Sequence, residues 1–159
     1  MIEKVVGEIL RRRGWKIAVA ESCTGGLIAH RITNVPGSSE YFLGGIVAYS
    51  NEAKTKILGV SNEVLMRDGA VSSRCAEEMM VGVKNLFESD VAISTTGIAG
   101  PGGGSREKPV GLVYIGISTP YYHNVMRYVF SGNREEIKEK IATRAMQDAL
   151  EYIKMESEK

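Results

Sequence analysis

The sequence predicts an α/β fold: a single three-layer α/β/α domain over residues 1–159, in which helices flank a mixed, largely parallel sheet. A chain of 159 residues has the length of one domain and buries a substantial core by itself. Helical and β-type patterns alternate along the first half, which indicates parallel strands joined by crossover helices. In the second half, the short segment "PYYHN" separates two β-type runs, which indicates an antiparallel hairpin.

The first half of the chain carries alternating signals for helices and strands. Apolar residues recur at helical spacing from residue 2 to residue 9, and Gly14 follows the basic run "RRR", where this helix is expected to end. Gly59 closes a later helical segment in the same way. After the first helix, the predicted elements are the strand "KIAVAES", the helix "TGGLIAHRITN", the strand "GGIVAYS" and the helix "NEAKTKILGV".

The second half begins with the clearest core-facing helix, for which Ser72 or Ser73 is the expected N-cap. Asn133 and Glu136 have the spacing of an N-cap and its N3 partner, which predicts the start of a final helix. The last residues, "MESEK", are expected to fray. Between these two helices lie three β-type runs, "DVAIST", "GLVYIGIST" and "VMRYVF".

Composition and charge exclude several classes of partner. A formal net charge of +1 gives no electrostatic footprint for nucleic acid or a membrane surface, so we expect a small-molecule substrate or another protein. The two cysteines, Cys23 and Cys75, provide neither a disulfide framework nor a metal-binding spacing, and we expect no metal and no cofactor. Because no signal peptide and no membrane-spanning apolar run is visible, we expect a cytoplasmic protein.

Three predicted strands end in polar or glycine-rich residues. In open α/β sheets, ligands bind in the crevice at the carboxyl ends of the strands, where the chain changes direction. We therefore expect these strand ends to meet around a ligand. The three segments are "AESCTGG", "AYSNEAK" and "ISTTGIAGPGGG".

Ser22 and Thr24 stand between a strand and a helix. Both residue types cap helices well, so either one is a candidate N-cap. A serine at this kind of turn is also where a nucleophile sits, because nearby backbone N–H groups can stabilise an oxyanion. The G-x-S-x-G pattern is absent here. Gly25 and Gly26 would let a substrate approach the backbone closely.

Lys54 is the best-placed base for Ser22, because a serine needs a proton acceptor to become nucleophilic. His30 and His123 lie too far along the chain or in a turn, which disfavours a Ser-His-Asp triad. At the start of a helix the macrodipole lowers the pKa of a lysine only slightly, so burial or a cationic substrate must supply the rest. Tyr49 is expected to relay a proton or to orient the amine.

Cys23 competes with Ser22 as the nucleophile. A thiol at a helix N-terminus has a lowered pKa, which would make it reactive. Nothing in the spacing excludes a cysteine hydrolase at this point.

The segment "TGIAGPGGGSREKPVG" contains six glycines and cannot form regular structure. Long glycine loops beside a sheet usually let the backbone wrap around a ligand. The segment lacks phosphate-loop and dinucleotide-binding spacing, which disfavours nucleoside triphosphate hydrolysis. Thr96, like Thr95 before it, is a candidate hydrogen-bond donor to substrate. Arg134 is a candidate to bind an anionic group, with a surface salt bridge as the alternative.

Several uncommon motifs occur here in one order and together resemble the carboxy-terminal domain of the CinA family, the nicotinamide mononucleotide amidases. The likeness extends over about residues 2–153. In close relatives a proline is expected where Ser131 stands, and many relatives carry a larger amino-terminal domain that this sequence does not show. The motifs are "AESCTGG", "GGIVAYSNEAK", "GAVS", "TGIAGPGGGS…KPVG" and "FSGNR".

The resemblance implies an enzyme that hydrolyses the carboxamide of nicotinamide mononucleotide to nicotinic acid mononucleotide and ammonia, in pyridine nucleotide salvage. It assigns the nucleophile to Ser22 and supporting catalytic roles to Lys54 and Tyr49. It implies no metal or cofactor, and it favours a homodimer or a higher homo-oligomer. The substrate-binding residues that it implies are Cys23, Thr24, Gly25, Thr96, Gly97, Gly100 and Arg134.

Two alternatives to a serine amidase remain at this point. One is a non-catalytic nucleotide-binding or regulatory module on the same fold. The other is a hydrolase that uses Cys23 as its nucleophile.

Overall fold

The structure is a computed structural model that describes residues 1–155. The predicted fraying of "MESEK" therefore falls, from residue 156 onward, outside the described residues. In chain order the elements are α1 Ile2–Arg13, β1 Ile17–Glu21, α2 Leu27–Thr33, a 3-10 turn Ser38–Glu40, β2 Phe42–Val47, α3 Asn51–Leu58, α4 Asn62–Arg67, α5 Ser73–Phe87, β3 Val91–Gly97, β4 Leu112–Ser118, β5 His123–Val129 and α6 Arg134–Lys154.

The strands form one five-stranded sheet in the order β2-β1-β3-β4-β5. β1 pairs in parallel with β2 and β3, and β4 pairs antiparallel with β3 and β5. Four of the five strands consequently run in the same direction, with β4 as the exception. The sequence-based expectation of a mixed sheet with a C-terminal hairpin is confirmed.

Helices cover both faces of the sheet, so the predicted three layers are also confirmed. Side chains alternate along β1: Ile17 and Val19 enter the core beneath α1, α2 and α6, whereas Ala18 and Ala20 enter the core beneath α3, α4 and α5. This alternation is the two-residue period of a strand buried on both faces. The small alanines bring the helix layer that carries α3 close to the sheet.

The predicted helix ends are mostly confirmed. Gly14 adopts the left-handed conformation after α1, the Ser72 hydroxyl caps α5, and Asn133 and Glu136 form a reciprocal capping box on α6. No sequence pattern predicted α4, whose six residues are too few to display a helical period.

None of the helices in residues 1–155 is both long and apolar enough to cross a membrane. The same residues contain no group of three or more His, Cys, Asp or Glu side chains that could hold a metal ion. Cys23 and Cys75 are both free and buried.

Candidate active site

The three predicted strand-end segments meet around one pocket of about 300 Å³. Ser22 and Cys23 follow β1, Tyr49 and Lys54 follow β2, and the glycine loop follows β3. Arg134 reaches the same pocket from the start of α6. These are the carboxyl ends of neighbouring parallel strands, where the topology leaves a crevice.

Lys54 lies inside the pocket with its amine against the Ser22 hydroxyl. The distance from Lys54 Nζ to Ser22 Oγ is 2.9 Å. The amine also donates to the carbonyl oxygens of Ala48, at 2.9 Å, and Tyr49, at 3.1 Å. The Ser50 hydroxyl caps α3 by accepting from the Ala53 N–H, which fixes the helix turn that holds Lys54.

The surroundings of Lys54 favour its neutral form. The residue is 1% exposed, and within the described part of the chain its amine forms no ion pair with a carboxylate. Burial lowers the pKa of Lys54 below its ordinary value. A neutral amine has two N–H groups and one lone pair, which match two carbonyl oxygens and one hydroxyl hydrogen. In that form, the Ser22 O–H donates to Nζ.

Ser22 is held by its backbone and does not cap α2. Its N–H donates to the Thr95 carbonyl at 3.1 Å, and its own carbonyl accepts from the Gly25 N–H at 3.1 Å. The N-cap of α2 is Gly26, which has a φ of 103°. The expectation that Ser22 or Thr24 caps this helix is therefore wrong. The Thr24 hydroxyl instead lies 3.0 Å from the Thr95 hydroxyl, in the interior.

Glu21 supplies the cap that Ser22 does not. Its carboxylate accepts hydrogen bonds from the N–H groups of Ile28, at 2.9 Å, and Ala29, at 3.0 Å, in the first turn of α2. The side chain is 1% exposed, so the helix N-terminus rather than water stabilises its charge. This role was missed in the sequence, because a glutamate at the end of an apolar strand shows no capping pattern.

Glu21→Gln is expected to lower the free energy of unfolding by about 2 kcal/mol. The amide keeps one acceptor oxygen but places an N–H₂ group against a helix N–H in the interior. Urea unfolding measures the change. Glu8→Gln is the matched control: Glu8 lies exposed on α1, and its substitution should change the free energy by no more than about 0.5 kcal/mol. Equal effects in the two variants would contradict the capping role.

Cys23 lines the pocket beside Ser22, but its thiol is not activated. Burial raises the pKa of Cys23 to about 11, and this effect outweighs the nearby lysines that lower it. The thiol is therefore neutral near pH 7. The expectation of a lowered pKa is wrong, because the thiol is buried and Glu21 already occupies the N-terminal N–H groups of α2.

Tyr49 contacts Lys54 through its backbone, whereas its ring points outward. Its carbonyl receives the Lys54 hydrogen bond, and the side chain is among the exposed large apolar groups at 63%. The phenol oxygen accepts from Arg134 Nη2 at 3.1 Å, and Arg134 Nη1 donates to the Gly100 carbonyl at 2.6 Å. Arg134 thus joins Tyr49 to the glycine loop across the pocket. Orientation of the amine by Tyr49 fits this geometry better than a proton relay.

The glycine loop and the end of β3 form one wall of the pocket. A Cβ on Gly97 would lie 2.7 Å from the Leu112 carbonyl oxygen, and one on Gly100 would lie 2.4 Å from the Val110 side chain. Neither position has room for a side chain, and both glycines line the pocket. The Thr96 hydroxyl donates to the Ala70 carbonyl at 2.7 Å, which leaves only its lone pairs for a ligand.

Some pocket residues were not singled out in the sequence. Asn51 stands at the start of α3 inside the quoted "SNEAK", and Ala70 and Val71 belong to "GAVS". The sequence pointed to these residues only indirectly, because they belong to quoted motifs that lie where helices or strands begin or end. Gly25 lies on the turn below α6 and does not line this pocket directly.

The chain is similar to known proteins over nearly its whole length, including the residues of this site. The model of the family described as the CinA C-terminal domain matches residues 1–153. A CinA-like protein from Thermotoga maritima is 48% identical over 153 residues, which are 96% of this chain and 37% of the relative. A CinA-like protein from Chloroherpeton thalassium is 61% identical over 118 residues, 74% of this chain and 28% of the relative. The chain spans about a third of the length of the curated relatives it matches.

Solved structures share the fold described above. A competence-damaged protein (CinA) superfamily protein from Klebsiella pneumoniae superposes with a TM-score of 0.92 at 33% identity, covering 96% of this chain and 95% of that one. The competence/damage inducible protein CihA from Agrobacterium tumefaciens gives 0.88 at 38% identity, with 97% and 96% covered. Because the family model spans nearly all of the sequence and the structural match spans the whole sheet, the chain belongs to the CinA C-terminal domain family.

Proposed function

We propose that this chain hydrolyses the carboxamide of nicotinamide mononucleotide to nicotinic acid mononucleotide and ammonia, in pyridine nucleotide salvage. The observation that carries the proposal is the 2.9 Å contact between the buried Lys54 amine and the Ser22 hydroxyl. A buried amine whose pKa is lowered and which touches a hydroxyl is suited to act as a general base next to a nucleophile. The resemblance of the motifs to nicotinamide mononucleotide amidases supplies the substrate.

The first half of the reaction forms an ester on Ser22. Lys54 Nζ takes the hydroxyl proton while Ser22 Oγ attacks the carboxamide carbon, which gives a tetrahedral oxyanion. The lysine ammonium then donates its proton to the amide nitrogen. The C–N bond breaks, ammonia leaves, and the nicotinoyl group remains attached to Ser22 Oγ.

The second half releases the acid. Lys54, neutral again, accepts a proton from water as the water oxygen attacks the ester carbon. The second tetrahedral species collapses, Ser22 Oγ regains the proton from Lys54, and nicotinic acid mononucleotide departs. All bonds and protons in these two steps are accounted for by the serine, the lysine, backbone amides and water.

The backbone around Ser22 is suited to stabilise the oxyanion. The N–H groups of Ser22 and Gly25 are used by backbone carbonyls, whereas those of Cys23 and Thr24 have no backbone partner within residues 1–155. Consecutive N–H groups that no backbone carbonyl occupies, next to a nucleophile, are suited to form an oxyanion hole. The assigned roles of Cys23 and Thr24 are therefore those of their amides.

The substrate's own charge supports this chemistry. Its pyridinium ring is a cation, which makes the attached carbonyl more electrophilic and disfavours a second positive charge on Lys54. The ring therefore acts in the same direction as burial, which already lowers the pKa of Lys54.

An ammonia-release assay tests the proposal. The purified chain is incubated with nicotinamide mononucleotide, and ammonia and nicotinic acid mononucleotide are quantified together. We expect the two products in equal amounts, and no release from free glutamine or asparagine. Binding of nicotinamide mononucleotide without ammonia release would contradict the proposal and favour a non-catalytic nucleotide-binding module.

A further inference from the structure

A short segment without regular structure, residues 68–72 between α4 and α5, forms part of the pocket wall. We call it the α4–α5 segment. Its Ala70 and Val71 line the pocket, and so does Gly100 of the glycine loop. The separation of the segment from the loop decides how closely the pocket encloses a substrate. A residue that connects the two therefore affects the geometry in which a substrate meets Ser22.

Lys108 makes this connection. Its ammonium, which is carried on the glycine loop, donates a hydrogen bond to the backbone carbonyl of Asp68. Within residues 1–155 no other hydrogen bond joins the loop to the α4–α5 segment. A hydrogen bond from a charged donor is stronger than one between neutral groups. The Lys108 side chain is half-buried and does not line the pocket, so it acts on the pocket walls.

The α4–α5 segment has room for the Lys108 side chain because residue 69 is a glycine. Gly69 has a φ of 83°, and a Cβ at this position would lie 2.9 Å from Lys108 Nζ. A larger residue would displace the ammonium from the Asp68 carbonyl. The Ser72 hydroxyl, which caps α5, also donates to the Gly69 carbonyl at 2.8 Å. The turn that receives Lys108 is thus fixed to the start of α5.

The glycine loop holds Lys108 in a defined position. The Ser105 N–H donates to the Lys108 carbonyl at 2.7 Å, and the Lys108 N–H donates to the Ser105 hydroxyl at 3.0 Å. These two bonds close a four-residue turn directly before Pro109. Toward the other end of the loop, Arg134 donates to the Gly100 carbonyl at 2.6 Å. The glycines between these two contacts have no side chains to pack, so the contacts at either end determine where the loop lies.

The α4–α5 segment has a separate contact with the sheet. The Thr96 hydroxyl, at the end of β3, donates to the Ala70 carbonyl at 2.7 Å. Thr96 therefore holds the segment on the sheet, whereas Lys108 holds the glycine loop on the segment. Loss of the Lys108 ammonium should release the loop and leave the segment in place.

We propose that Lys108 is a positioning residue, which holds the glycine loop against the α4–α5 segment and so keeps the substrate carboxamide in reach of Ser22. This proposal rests on the proposed amidase function. Lys108 acts through the loop and does not contact the reacting atoms. Because a small displacement of the reacting atoms slows a reaction strongly, its effect falls on kcat rather than on substrate binding.

Lys108→Met tests this role, because methionine keeps an apolar side chain but cannot donate to the Asp68 carbonyl. We expect kcat for ammonia release from nicotinamide mononucleotide to fall about 10- to 100-fold, with KM changed less than about threefold. Lys108→Arg, which keeps a charged donor, should restore most of kcat. An increase in KM with unchanged kcat in Lys108→Met would place the ammonium on the substrate and overturn the positioning role.

Arg106→Met is the matched control. It removes one positive charge from the same loop, at an exposed position that does not line the pocket. We expect its kcat to stay within about twofold of wild type, as for other exposed substitutions. A loss of kcat as large as that of Lys108→Met would show an effect of loop charge and overturn the proposal.

Hydrogen exchange separates this proposal from the amidase proposal, because it needs no turnover. In Lys108→Met the Ser105 amide, which lies in the turn held by Lys108, should exchange at least about fivefold faster than in wild type. The Gly111 amide, which donates to the Ile98 carbonyl at 2.7 Å at the base of the loop, should exchange at the wild-type rate. The Tm should stay within about 4 °C of wild type.

The exchange rates and the activity fail independently. If wild type releases no ammonia but the exchange difference at Ser105 persists, Lys108 still holds the loop and the amidase proposal fails. Equal exchange at Ser105 in Lys108→Met and wild type would overturn the connection. Faster exchange at both Ser105 and Gly111 would indicate a general loss of structure and would also overturn it.

Discussion

Ser22→Ala is expected to abolish ammonia release from nicotinamide mononucleotide, with a fall in kcat of at least about 1,000-fold. The substitution removes the oxygen that attacks the carboxamide and leaves Lys54 without a proton to take. Neighbouring contacts should remain, because Ser22 is positioned by its backbone N–H and carbonyl rather than by its hydroxyl. Substrate affinity, measured by calorimetry on the inactive variant, should therefore change little.

Cys23→Ala is the matched variant for this experiment. It removes the adjacent side chain in the same pocket, and its buried thiol has a pKa of about 11. We expect kcat within about threefold of wild type, because only the Cys23 amide takes part in the proposed reaction. Activity that survives Ser22→Ala but is lost in Cys23→Ala would reverse the assignment of the nucleophile.

A buried carboxylate and a buried amine lie near the nucleophile, and they are kept apart. Glu21, directly before Ser22, has both carboxylate oxygens bonded to the first turn of α2. Lys54 contacts two carbonyl oxygens and a hydroxyl. If the carboxylate instead paired with the amine, it would raise the pKa of Lys54 and hold the base in its protonated form. The helix N-terminus thus stabilises the acid while the base stays free for proton transfer.

The pairing of Ser22 with Lys54 was predictable from sequence because it follows from topology. Both residues come directly after strands of an α/β pattern, and such strand ends meet at one edge of the sheet. Their separation of 32 positions in the chain presents no obstacle, since β1 and β2 are parallel neighbours.

Other features of the site depend on tertiary contacts that no local sequence pattern predicts. The pKa of Cys23 is set by burial, and the true start of α2 at Gly26 depends on the reach of the Glu21 carboxylate. The outward ring of Tyr49 depends on where Arg134 arrives from a distant helix. Each of these features was predicted wrongly or not at all for the same reason. The contact that determines it leaves no periodic pattern in the sequence.

Lys54→Met is expected to remove turnover as completely as Ser22→Ala while leaving substrate affinity nearly unchanged. Methionine has a similar length and fits a buried site, but it has no lone pair of sufficient basicity to accept the Ser22 proton. Lys56→Met, an equal substitution at an exposed position of the same helix, should retain full activity. Unaltered turnover in Lys54→Met would remove the lysine from the mechanism.

The pH dependence provides a second, independent measurement of Lys54. Burial lowers the pKa of Lys54 in the folded protein, and the base acts only when neutral. We expect kcat/KM to rise with pH to a plateau, with a midpoint below the ordinary lysine value of about 10.4. Between the folded-state pKa and that value, the unfolded chain binds more protons than the folded chain. The free energy of unfolding should therefore increase with pH in this window by up to about 1.4 kcal/mol per pH unit in wild type, and this increase should be absent in Lys54→Met.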